Sequence, residues 1–276
     1  MRLDAHQHFW KFDPLRHSWI TEDMTALRKD FLPEHLLPLL QNNNIDGCIS
    51  VQAEQSLEET HFLLKLAAEN SFIKGVVGWV DLQAADIAEK LAYFSSFKDL
   101  KGFRHIVQSE SDDQFLARAA FCRGISLLKQ YDFTYDILVY PGQLKSVLEF
   151  VQRFPDQPFV IDHMAKPDIL NKRIWDWEND MTKISKCPNV YCKISGLVTE
   201  ADVDNWEFKD FNPYINLVME QFGPEKIMFG SDWPVCLLAA DYREVCDIAE
   251  QNSLHLAKED KKKMWGENAA KFYGIQ

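Results

Sequence analysis

The chain has no CxxC pair, no apolar run of membrane-spanning length, no Gly/Ser-rich or low-complexity divider, and no surplus of positive charge. Each absence removes a class of protein. Six cysteines (Cys48, Cys122, Cys187, Cys192, Cys236, Cys246) in a chain of 276 residues are not the framework of a small secreted scaffold, so they are read as reduced thiols. A spanning helix needs roughly 20 consecutive apolar residues, and none is present. Residues 1–10 carry charge and two histidines where a signal peptide would be apolar, which predicts a cytoplasmic location. A net charge of -12 repels phosphate backbones and anionic bilayers, so neither nucleic acid nor a membrane is an expected partner. No G-x-G-x-x-G follows the first strand-like run, which argues against an open dinucleotide-binding sheet, the runner-up architecture.

What is present is regular. Hydrophobic residues make up 46% of the chain and charged residues 26%, in the range of a soluble enzyme. Strand-like runs occur at 2–9, 46–53, 73–80, 101–107, 133–140, 158–164, 189–195 and 226–233. Helical spacing occupies 57–69, 83–98, 113–130, 142–154, 174–186, 211–222, 241–252 and 257–272, and Pro33 and Pro141 stand where helices can begin. Alternating strand and helix predicts parallel pairing with helices outside. Eight units in a chain of 276 residues, where such a barrel typically takes about 250, predict an α/β fold closed as one (β/α)8 TIM barrel over 1–276, with extra C-terminal helices. The long connection from Trp10 to Phe31, holding Phe12, Trp19 and Ile20, has the character of a lid.

Chemistry in such a barrel sits at the C-terminal ends of the strands. Applied to each run, that rule gathers His6 and His8 (run 1), Arg104 (run 4), His163 (run 6), Ser195 and Gly196 (run 7) and Asp232 (run 8) at one mouth. His6 and His8 are two apart, so on a strand they share a face. Asp162 and His163 are adjacent and by the same rule cannot both point inward; His163 is the expected one. Singly, each of these polar residues has an ordinary structural explanation. Jointly, at one end of eight regular units, they mark a site.

The motifs that carry this pattern are DAHQHFW at 4–10, KGFRH at 101–105, VIDHMAKP at 160–167, KISGLVTEA at 193–201, MFGSDWPV at 228–235 and GENAAKFYG at 266–274. With them the chain resembles the amidohydrolase superfamily. It is similar to the amidohydrolase-2 branch of sugar-lactone and pyrone-lactone hydrolases that includes L-fuconolactonase and L-rhamnonolactonase. The resemblance implies a (β/α)8 barrel, His6, His8 and His163 as ligands or polar contacts, Asp232 as general base, and Arg104 against the substrate. It departs from binuclear members, which carry a carbamylated lysine on strand 4. Here Lys101 lies at the wrong end of that strand and Lys193 is in the middle of run 7, so two metals are not expected. One divalent ion, zinc first, held by His6, His8, His163 and Asp232 is the expected cofactor, with metal-independent hydrolysis as the alternative.

The activity expected is opening of a ring ester by water. Asp232 and His163 are the catalytic candidates, and Arg104, Trp10 and Trp19 the substrate contacts. A pyrone dicarboxylate would need several arginines. The chain has few, which favours a neutral deoxy-aldonolactone such as L-fuconolactone or L-rhamnonolactone as the small-molecule partner. Two rival readings stand beside it: a metal-dependent decarboxylase of a small aromatic or unsaturated acid, and a non-catalytic ligand-binding barrel. Monomer and homodimer are equally compatible with the sequence.

Overall fold

A computed structural model describes residues 1–275. Eight strands pair in chain order, all parallel: β1 (Leu3–Gln7), β2 (Gly47–Val51), β3 (Ile73–Gly78), β4 (Leu100–His105), β5 (Thr134–Ile137), β6 (Phe159–Ile161), β7 (Val190–Ile194) and β8 (Ile227–Phe229). The ring closes just beyond β8. The Asp232 N–H donates to His6 O at 2.8 Å and the His8 N–H to Trp233 O at 2.7 Å. All eight expected strands are present. Each is shorter than its apolar run, because the last residues of several runs leave the ladder to build the mouth of the barrel.

Helices follow the strands on the outside: α1 (Pro33–Asn42), α2 (Leu57–Glu69), α3 (Ile87–Phe94), α4 (Ala119–Leu128), α5 (Leu144–Arg153), α6 (Trp175–Ser185), α7 (Phe208–Phe222) and α8 (Tyr242–Asn252). Local chemistry sets their starts. Pro33 opens α1 with its fixed φ, and Ser56 caps α2 by accepting the Glu59 N–H at 3.1 Å. Pro141 opens a short 3-10 turn that leads into α5.

The single C-terminal helix expected over 257–272 is broken. Lys258–Lys262 forms α9, Asn268–Phe272 forms α10, and a π turn at Lys263–Glu267 joins them. Gly266 explains the break. It runs so close to the start of β1 that a Cβ would collide with Met1 O. The C-terminal segment therefore lies across the N-terminal end of the barrel, and Ala269, Phe272 and Tyr273 pack onto Leu3, Ala5, Ile49, Val51, Val77, Val160 and Met228 inside it.

One irregularity positions the site. The register between β1 and β2 shifts between Asp4 and Gln7. Leu3 and Ala5 join the apolar interior, whereas Gln7 turns outward to Cys48, with Nε2 to Sγ at 3.3 Å. That leaves His6 and His8 together on the inner face above the apolar plug. Asp4 then ties β1 to the segment after β8, accepting from Ser231 N–H at 2.8 Å, Ser231 Oγ at 2.5 Å and the Tyr242 hydroxyl at 2.9 Å. Among the described residues no helix is long and apolar enough to cross a membrane.

Candidate active site

β6 stops at Ile161, and the chain turns sharply. His163, Met164, Ala165 and Lys166 all take left-handed φ, between 51° and 57°. Asp232, just past β8, has φ 57° as well. Non-glycine residues adopt this region at a cost of roughly 1 kcal/mol each, and such strain clusters at functional sites. The turn corrects the expectation that Asp162 and His163 must face opposite ways. Strand alternation ends one residue before Asp162, so both side chains enter the barrel. Gly196, at φ 62°, lets β7 pass the His163 ring: a Cβ there would collide with Nδ1.

The three imidazoles and Asp232 converge. Asp232 Oδ1 lies 3.3 Å from His8 Nε2 and 3.8 Å from the Nε2 atoms of both His6 and His163. His6 Nε2 and His8 Nε2 are 3.2 Å apart. The other ring nitrogens are held from behind. His8 Nδ1 faces Val51 O at 2.7 Å, which makes Nδ1 the protonated nitrogen and leaves Nε2 a lone pair. His163 Nδ1 contacts Ser195 Oγ at 2.9 Å. His6 Nδ1 sits between Asp162 Oδ1 at 3.3 Å and Lys193 Nζ at 3.1 Å, so either tautomer of His6 finds a partner. Burial depresses the pKa of His6 and of His163 far below the usual histidine value, so both rings are neutral. Burial alone would raise the Asp232 carboxyl, but the neighbouring His163 and His8 outweigh it and keep the group below its ordinary range, hence ionised.

Three of these side chains, His6, His8 and Asp232, could hold a cation between them. Ligands about 2.0–2.2 Å from a tetrahedral zinc stand roughly 3.3 Å from each other. His6, His8 and Asp232 match that spacing, and their ligand atoms all lie within 4.8 Å of one another. The donor set therefore fits a single divalent ion.

Beneath this centre lies a second polar layer. Lys193 on β7, fully buried, pairs with Asp136 on β5 at 2.5 Å and with Asp162 at 3.0 Å. The Tyr273 hydroxyl donates to Asp136 at 2.8 Å from below. Arg104 donates through Nη1 to Asp162 at 3.0 Å, and through Nη2 to the Gln52 side-chain oxygen at 2.9 Å and to the Gln52 backbone carbonyl. Burial would raise Asp162, yet Lys193, His6 and Arg104 together hold its carboxyl well below the usual carboxylate range.

Above the centre a cavity of about 720 Å³ opens between the strand ends, lined by His8, His163 and Asp232 on its floor and by Trp19, Arg104, Tyr140, Lys166 and Glu200 around them. Trp10 is not on its wall. At 1% exposure it packs under the lid, with Nε1 donating to Lys29 O at 3.0 Å and its ring against Phe31 and Trp19. Reasoning from strand ends set Asp162 aside, noted Lys193 only as a misplaced bridging lysine, and passed over Asp136, Gln52, Lys166 and Glu200 as site residues. Two of these left a trace: Asp136 and Lys193 are lone charges in the middle of apolar runs, where a side chain can only point into the barrel or into the helix layer. Lys166 and Glu200 come from separate loops and left none.

A closed (β/α)8 barrel with imidazoles and a carboxylate gathered around one cation position at its C-terminal mouth has the layout of a barrel hydrolase. The chain belongs to the amidohydrolase family, whose model matches residues 3–275. It is 38% identical to an L-fucono-1,5-lactonase of Burkholderia multivorans over 289 residues, covering 100% of this chain and 96% of the relative. It is 35% identical to an L-fucono-1,5-lactonase of Burkholderia ambifaria over 278 residues, covering 99% and 96%. A crystal structure of a Burkholderia multivorans amidohydrolase with bound zinc superposes with a TM-score of 0.97 at 38% identity, covering 100% of both chains.

Proposed function

We propose that this protein is a hydrolase that opens the ring ester of a small neutral sugar lactone, a deoxy-aldonolactone of the L-fuconolactone kind. The observation that carries the reading is the convergence of three imidazole Nε2 atoms on Asp232 Oδ1, at 3.3 to 3.8 Å, on the floor of a cavity of ligand size. The full-length similarity to two L-fucono-1,5-lactonases supports the choice of a lactone over a decarboxylation substrate or a mere binding role.

His6, His8 and Asp232 Oδ1 would hold one zinc ion, with His163 beside them. When bound, the ion lowers the pKa of water and polarises an ester carbonyl. The protein's own groups do the rest. The second oxygen of Asp232 takes a proton from the attacking water. His163, held by Ser195, orients that water through its neutral Nε2. The proton then passes from Asp232 to the ring oxygen as the acyl C–O bond breaks, leaving a hydroxy acid. Arg104 borders the floor of the cavity and keeps Asp162, the partner of His6 Nδ1, in place.

Charge in the cavity favours a neutral substrate. The two cations that reach it, Lys166 and Arg104, are already paired with Glu200 and Asp162. Among the described residues, a dicarboxylate would find no guanidinium or ammonium at this cavity that lacks a carboxylate partner of its own. The test is proton release from L-fuconolactone by zinc-loaded and chelator-treated protein. Rapid acid production by the loaded form is expected. A loaded protein that releases no acid from any aldonolactone would sink the reading.

A further inference from the structure

One ion pair on the cavity wall has no part in the chemistry above. Lys166 Nζ lies 3.0 Å from Glu200 Oε1, and the two side chains are 17% and 19% exposed. They arrive from different loops, Lys166 from the left-handed turn after β6 and Glu200 from the 3-10 turn Val198–Glu200 after β7. Both line the cavity with His8, His163 and Asp232. Burial works against the Lys166 ammonium, but Glu200 and Asp232 outweigh it and hold its pKa above the usual lysine value, so the pair is ionic.

The pair keeps capacity to spare. An ammonium has three donors and a carboxylate two acceptor oxygens, whereas their mutual contact uses one of each. Adjacent hydroxyls on a sugar ring stand about one hydrogen-bond length apart, ~3 Å. Each can accept from Nζ and donate to the carboxylate. Two aromatic rings line the same cavity, and one of them stands beside this polar pair. Tyr140, 46% exposed, has its ring centre 5.7 Å from Nζ, and Trp19 is 36% exposed. Rings of this kind suit the C–H face of a sugar, while a charged pair suits its hydroxyl edge.

We propose that Lys166 and Glu200 act as one unit that binds a vicinal pair of ring hydroxyls on the lactone and so sets the preference for a hydroxylated ring over a bare one. The inference rests on the lactone-opening reading and adds to it the determinant of substrate choice. Binding of this type is felt equally in ground state and transition state, so its loss appears in KM more than in kcat.

The experiment compares L-fuconolactone with δ-valerolactone, a lactone ring without hydroxyls, for zinc-loaded wild type, Lys166→Met, Glu200→Gln and the double variant. The wild type should prefer the hydroxylated ring. Each single variant should lose about 10- to 100-fold of that preference through KM, with the double variant no worse than either single. Lys166→Arg, which keeps the ion pair, should retain most of it and guards against a misfolded Lys166→Met. If the variants slow both lactones by the same factor, or lower the melting temperature with the preference intact, the pair is only a latch between two loops and the inference fails. Wild type that opens both rings equally well overturns this inference alone. Wild type that opens neither overturns the lactone reading and this inference with it.

Discussion

Two polar layers are stacked inside one barrel, and they are built on opposite principles. In the lower layer, Lys193, Asp136, Asp162 and Arg104, every charge meets its opposite: Lys193 bridges two carboxylates and Arg104 shares the second of them. In the upper layer His6, His8, His163 and Asp232 turn acceptors toward one another, with two ring nitrogens 3.2 Å apart. Buried charges paired in this way hold one another in place and leave little attraction for a further ion. A set of facing lone pairs is costly without a proton or cation among them, and it is therefore where a ligand gains most. The lower layer holds the upper one in shape through His6, whose Nδ1 contacts both Lys193 and Asp162.

The comparison breaks most visibly at Asp232. Asp232→Asn keeps size and one acceptor oxygen but cannot take the proton from water. Lactone opening should fall about 10³-fold, the range of a lost general base, with the melting profile little changed. Retained activity would assign the base elsewhere. Lys193→Met tests the layer beneath. It leaves Asp136 and Asp162 buried without their shared cation, so a loss of about 3–5 kcal/mol in denaturant unfolding is expected. Zinc affinity should also weaken by about 10- to 100-fold, because His6 loses its support. Normal stability in Lys193→Met would show that the two layers are not coupled as described.

The barrel was legible because its signal repeats. Eight apolar runs separated by helical spacing leave few architectures, and the rule that strand ends carry chemistry pointed to His6, His8, His163 and Asp232, which the structure brings together. What stayed hidden depended on backbone or on distance. Four successive left-handed residues from His163 to Lys166 overturn the alternation argument that set Asp162 aside, and nothing in their side chains announces such a turn. Trp10 and Trp19 look alike in a loop without periodicity. Only the fold sends Trp10 into the core and leaves Trp19 at the cavity, as pairing of the Trp10 backbone with Phe31 dictates. The Lys166–Glu200 contact joins loops 34 positions apart and has no local signature.

A smaller effect separates the layers by pH. In chelator-treated protein His6 and His163 are held neutral by burial, far below their ordinary value of 6.5. As pH falls below 6.5 the unfolded chain binds protons that the folded state refuses. Stability is thus fully present above 6.5 and is lost on acidification, by up to about 1.4 kcal/mol per pH unit for each histidine. Urea midpoints at pH 7.5 and 5.5 measure the slope. His163→Gln should lower it, and an unchanged slope would show that His163 does not contribute to it.

The smallest expected effect lies at the lid, furthest from either layer. Trp19 is partly exposed and edges against the buried Trp10, so its removal should spare the core. Trp19→Ala deletes one aromatic wall of the cavity, worth about 1 kcal/mol of contact with a sugar ring. KM for a sugar lactone should rise about fivefold while kcat holds, since no group around Asp232 moves. Arg16 pins the same loop through Glu54 at 2.8 Å, so the lid itself stays docked in this variant. A fall in kcat instead would mean that the lid orders the histidines as well as the substrate, and the upper layer would then owe its geometry to the loop above it as much as to the charges below.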